Sequence, residues 1–178
     1  MDSSKQLLMT IYAALMAALM AVGAFIAVPI GPVPIVLQNL FVFLAGLLLG
    51  SRWGLASVSV YILAGGLGLP IFAGGMGGVG RLVGPTGGYL IGYIPAVYLI
   101  GLISEKGSRK ALMDVLAMVI GAFVVYACGV TWLKILSGMT LGKTLAVGMY
   151  PFLIGDAIKI VAAVPIAKAV RPIIKKYG

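Results

Sequence analysis

Apolar residues fill this chain in long blocks, separated by short stretches that are charged or rich in glycine and proline. Gln6 to Ser51 is 46 residues without a charge, enough for two membrane spans of about 20 residues each. The break between them falls at Pro29-Ile-Gly-Pro-Val-Pro34, where three prolines deny a helix its donors. Arg52 and Arg81 enclose 28 uncharged residues, read as a third span over 54–69 followed by a loop. Arg81 and Glu105 enclose 23, a fourth span over 85–103 with Pro85 in its first turn. A fifth span covers 112–133 and a sixth 150–170. The pattern predicts an all-α integral membrane protein. Six transmembrane helices form one bundle and one domain, 1–178, with a glycine-rich outer loop between the third and fourth.

Composition agrees. Hydrophobic residues make up 62% and charged residues only 10%, with a mean hydropathy of +1.16. A water-soluble domain carries about 25% charged residues, so the composition argues against a soluble enzyme, a disordered tail and a nucleic-acid binder. The 13 Lys and Arg against 4 Asp and Glu leave a net charge of +9. In so apolar a chain, basic loops that fix membrane orientation explain this excess better than nucleic acid does. Lys5, Arg52, Lys106, Arg109, Lys110, Lys168, Arg171, Lys175 and Lys176 fall on the side of both termini. Only Arg81, Lys134 and Lys143 fall opposite, and Lys159 lies within a span. The positive-inside rule therefore places both termini in the cytoplasm and the protein in the cell membrane. Trp53 and Trp132 fall at opposite interfaces, as an aromatic belt requires. The first apolar run, roughly 22 residues, is too long for the core of a cleavable signal peptide. No histidine is present, and Cys128 is the single cysteine. Histidine metal sites, histidine acid–base catalysis and an internal disulfide are thereby excluded.

The costliest residues lie in the sixth span. Asp156 and Lys159 interrupt MYPFLIGDAIKIVAAV, and a charge at bilayer depth costs from about 2.5 kcal/mol upward. Their i, i+3 spacing puts them on one face, where they can pair. With a helix starting near Tyr150, Asp156 lies roughly 9 Å below the outer surface at 1.5 Å per residue. A carboxylate beside an ammonium there suits a small solute bearing both N–H and C=O groups; a purely structural ion pair is the alternative. The loop Gly65–Gly92 cannot be a lipid-exposed helix and needs protein or a cavity to satisfy its backbone. Thr86, Gly87 and Gly88 would offer free N–H groups at a helix start, an anion site. Arg81, the loop's one charge, would hold a carboxylate there or touch lipid headgroups. Gln38 and Asn39, polar within the second span, either glue helices together or line a pocket. Tyr89 either stacks on a ring or is a plain interfacial tyrosine. Ala13, Ala17 and Ala21 form a small-residue stripe with Ala14 and Ala18 alongside, and Gly46, Gly50 and Gly54 continue the theme; such stripes serve internal packing or a partner helix.

Chemistry is otherwise absent. GMTLGKT (138–144) is one residue short of a phosphate-binding loop, and no metalloprotease motif, serine nucleophile elbow, carboxylate pair or potassium filter occurs. The chain is short for a complete secondary transporter and shows no internal repeat, so a binding subunit energised elsewhere fits better.

AGGxGGxGRLVGPTGGYLIGY (73–93), VPIVLQNLFVFLAGLLLG (33–50) and PFLIGDAIKIVAA (151–163) resemble the BioY family, the biotin-specific S components of energy-coupling factor (ECF) transporters. The resemblance spans essentially the whole chain. It implies a non-enzymatic subunit without cofactor that captures biotin from outside. Asp156 and Lys159 would contact the ring system, and the loop bearing Arg81 and 85–89 would hold the carboxylate. Ala13 and Ala17, with Ala21, would dock on a transmembrane T component, and two cytoplasmic ATPases would supply energy. An S component for another vitamin and a stand-alone facilitator or channel are the competing readings.

Overall fold

A computed structural model describes residues 3–29 and 31–177, with side chains described as far as 174. Lys175 and Lys176, counted above on the inner side, are therefore described as backbone only. The first apolar block forms helix α1 (Ser3–Phe25). The proline break forms a hairpin of two short strands, β1 (Ala27–Val28) and β2 (Ile35–Val36), antiparallel with Ala27 opposite Val36. Helix α2 (Gln38–Gly66) follows, then a glycine-rich loop with one helical turn, α3 (Val79–Val83). Helices α4 (Gly87–Lys106), α5 (Ala111–Ser137), the short α6 (Leu141–Gly148) and α7 (Tyr150–Tyr177) complete the chain.

The second and third spans are the two arms of α2. At Gly50 the backbone adopts φ 79°, ψ −174°, outside helical space. A Cβ on Gly54 would lie 3.1 Å from the Ala45 carbonyl oxygen. In a straight helix those residues stand about 13.5 Å apart along the axis, so the chain folds back on itself. Counting both arms, six helices build the bundle, as the hydropathy pattern predicts. α1, α2, α4 and α5 are each long and apolar enough to cross a membrane; α7 is comparably long but more heavily charged.

Without water between them, transmembrane helices associate by close packing rather than by the hydrophobic effect. The glycines at 46, 50 and 54 supply that approach. A Cβ on Gly46 would meet Ile100 at 2.7 Å and one on Gly54 would meet Val97 at 3.1 Å. From the opposite side, one on Gly101 would press on the Ser51 nitrogen. This glycine seam is therefore internal, between both arms of α2 and α4. The core gathers around it, with Phe43, Leu47, Val58, Tyr61, Val97, Ile100 and Met118 almost fully buried.

Three expected boundaries move. α4 begins at Gly87 with Thr86 as its N-cap, so Pro85 precedes the helix rather than opening it. The third span stops at Gly66, where the glycine run begins. The last helix continues beyond Val170 to Tyr177. The short amphipathic helix α6, between α5 and α7, has no counterpart among the six predicted spans.

Candidate functional site

The ends at which α2, α4 and α7 begin and α5 finishes converge on one pocket. Val33, Pro34 and Val36 from the hairpin and Phe72, Ala73 and Arg81 from the glycine loop roof it. Gln38, Asn39, Thr86, Tyr89, Leu90, Tyr93, Val125, Tyr126, Phe152 and Lys159 form its walls. The free space inside is about 50 Å³, well below the ~300 Å³ at which small-molecule sites begin.

The polar wall is a connected network. Lys159 Nζ donates to Asp156 Oδ1 at 2.8 Å, and both residues are buried. The Tyr126 hydroxyl donates to the other carboxylate oxygen. Asn39 Nδ2 faces both oxygens at 3.4 Å, while its own Oδ1 accepts from the Tyr93 hydroxyl at 2.6 Å. A buried carboxylate persists only when paired and hydrogen-bonded; α2, α5 and α7 each supply a partner here, and Tyr93 of α4 orients Asn39. Lys159 lines the pocket, whereas Asp156 stands just behind its wall. Gln38 Nε2 is fully buried with no partner, leaving a donor available to an acceptor in the pocket. The wall thus offers both donors and acceptors to a compact polar group.

The glycine-rich loop is folded onto the bundle. The Tyr61 hydroxyl donates to the Ile71 carbonyl at 2.9 Å, and the Phe72 ring packs edge-on against Tyr61 at 5.5 Å. Phe72 is buried against Gly65, where any Cβ would collide with the ring. Arg81 lines the pocket, and its guanidinium touches the Met76 sulfur.

The structure brings Asp156, Lys159, Gln38, Asn39, Arg81, Thr86 and Tyr89 to this one pocket, and departs from expectation at others. Gly87 and Gly88 do not line it. The Gly87 N–H donates to the Gly84 carbonyl at 3.0 Å, so it is not a free anion donor. A Cβ on Gly87 would press on the Leu82 carbonyl, and one on Gly88 would meet Trp132 at 2.3 Å. Both glycines serve close packing. Tyr89 reaches the pocket, yet its ring fits against Gly129 and its hydroxyl donates to the Gly148 carbonyl at 2.7 Å, anchoring α6. The alanine stripe also divides. Ala13 and Ala17 are buried and Ala21 half-buried, while Ala14 and Ala18 are exposed. The buried face of α1 packs on α2, so Ala13 and Ala17 are covered within this chain. Tyr93 and Tyr126 escaped the sequence reading, although a tyrosine inside an apolar span usually signals a polar partner for its hydroxyl.

Comparison with known proteins adds an independent line. Residues 1–176 match the BioY family. "Biotin transporter BioY" of Thermotoga maritima is 44% identical over 158 residues, covering 88% of this chain and 92% of that protein. "Biotin transporter BioY" of Rhizobium etli is 36% identical over 178 residues, covering 94% of each. A crystal structure of the S-component for biotin from an ECF-type ABC transporter superposes with a TM-score of 0.90 at 32% identity. It covers 97% of this chain and 95% of that one.

Proposed function

The chain belongs to the BioY family, and on that premise we propose that it is the biotin-binding S component of an ECF-type uptake transporter. The observation that carries this reading is the full-length likeness to a solved biotin S component. The polar network around Asp156 supports it chemically. A ureido ring presents N–H donors and a carbonyl acceptor. In this reading Asp156 takes the N–H groups while Lys159 and Gln38 serve the carbonyl. Arg81, at the roof, holds the carboxylate. The roof over 33–36 and 72–86 lifts to admit the solute from outside.

The chain itself is not a catalyst. ATP hydrolysis belongs to two cytoplasmic ATPases, coupled through a transmembrane T component. The exposed side of α1, with Ile11, Ala14, Leu15, Ala18 and Val22, is the face that meets the T component, in place of Ala13 and Ala17. Both termini lie in the cytoplasm.

Calorimetry with biotin on the purified, folded protein tests the reading directly. Saturable binding is expected, and competition by lipoate, thiamine or riboflavin is not. Absence of binding would overturn it. Uptake into liposomes lacking a T component and ATPases would instead mark a stand-alone facilitator.

A further inference from the structure

The second charged cluster lies at the other end of the bundle, where the two arms of α2 meet. A helix reversal leaves the last carbonyls of one arm and the first N–H groups of the next without intrahelical partners. Here charged side chains from other helices satisfy both sides. Glu105, at the end of α4, accepts from the Ser51 N–H at 3.1 Å and from the Ser51 hydroxyl at 3.0 Å. Its carboxylate sits where a Cβ on Gly50 would be, so Gly50 is required both by its φ and by Glu105. On the opposite side, Arg171 of α7 donates from Nε and Nη2 to the Leu47 carbonyl, each at 3.2 Å.

The same guanidinium engages Asp114 of α5 through two bonds, at 2.6 and 2.8 Å. It also donates to Ser104 of α4 at 2.9 Å, and Ser104 donates to Asp114 at 2.6 Å. Its remaining contact is the Arg109 carbonyl at 3.0 Å. Ser108 and Arg109 are consecutive non-glycine residues with φ of 55° and 57°, a strained conformation that needs outside support. Asp114 is 2% exposed at its side chain and Arg171 12%. Paired forks of this kind combine strength with fixed geometry. Arg171 and Asp156 are 15 positions apart, about 60° around an ideal helix, so they share the inward side of α7. At the pocket end α7 is held to α5 by the single Tyr126 hydroxyl on Asp156 and to α2 by the 3.4 Å approaches of Asn39, with no guanidinium fork among the described residues there.

We propose that Arg171 is a positioning residue. Its clasp with Asp114, Ser104 and Leu47 fixes the depth and rotation of α7 at the inner end. Lys159 is thereby aimed into the pocket with Asp156 held behind it, and opening is confined to the outer end. Arg171 touches no solute and acts through α7. The clasp stands on geometry alone, and the affinity readout uses biotin as its probe.

The test uses full-length protein in lipid nanodiscs, with Arg171→Gln, Asp114→Asn and Arg171→Lys compared with wild type. Amide hydrogen exchange should accelerate at least about tenfold over 47–52 and 103–114, with the outer roof unchanged. Biotin Kd should rise about tenfold in Arg171→Gln, as expected of a site whose support has loosened. Arg171→Lys, which keeps the charge without the fork, should fall between. If Arg171→Gln does not fold, the comparison is read on Arg171→Lys. Wild-type affinity with unchanged inner-end exchange would overturn the proposal. Acceleration spread evenly over the whole chain would overturn it too, by marking a purely global stabiliser. Failure of wild type to bind biotin would sink the assignment of the solute, while the exchange comparison would still decide the clasp.

Discussion

Asp156 carries more of the argument than any other residue because an unpaired carboxylate inside an apolar bundle is prohibitively costly. Its three neighbours, Lys159, Tyr126 and Asn39, relieve that cost within the bundle. Asp156→Asn and Lys159→Met are each expected to weaken biotin binding by more than tenfold, about 1.4 kcal/mol, measured by calorimetry on folded protein. Wild-type affinity in both would restore the structural ion-pair reading. Arg81 should discriminate differently. Arg81→Ala is expected to weaken biotin itself, yet leave an analogue with an amidated side chain almost unaffected, so the ratio of the two affinities reads the carboxylate contact. The Asp156–Lys159 pair was legible because its cost and spacing are properties of one helix. Tyr93 and Tyr126 were not, since nothing in sequence brings position 93 or 126 beside position 39 or 156.

Among the helices, α1 carries small residues on two faces, one buried and one exposed. The spacing of small residues predicts that a helix can approach closely; it does not say whether the neighbour belongs to the same chain. Ala13 and Ala17 face α2 with Met16 and Met20, so Ala17→Trp is expected to prevent folding by overpacking. Ala14→Trp and Ala18→Trp, on the exposed side, should leave biotin affinity intact and abolish copurification with the T component and ATPases. An intact complex would move the docking face elsewhere. The hinge in α2 makes a similar point. Gly50→Ala should lower the melting temperature, because a side chain there meets both a positive φ and the Glu105 carboxylate. Hydropathy located this reversal between spans, while the capping by Glu105 and Arg171 came only from the packing.

At the scale of the whole molecule, the charge tally makes an orientation that labelling can check. In a Cys128→Ser background, a cysteine at Lys143 should react with an impermeant maleimide in intact cells, and one at Arg109 only after permeabilisation. The opposite pattern would invert the topology. By itself the sequence determined the membrane class, the six spans, the absence of histidine chemistry and the helix bearing the costly charges. These follow from composition and from periods of a few residues, which act along one element. The tertiary structure decided which alanines face inward, that Gly87 and Gly88 pack closely against Leu82 and Trp132, and that two tyrosines complete the Asp156 network. It also joined Asp114, at the start of one helix, to Arg171 near the end of another. Those outcomes depend on how helices rotate against one another. In a bilayer that rotation is set by side-chain fit and by the demand that every buried polar group find a partner, a condition met only between residues distant in the chain.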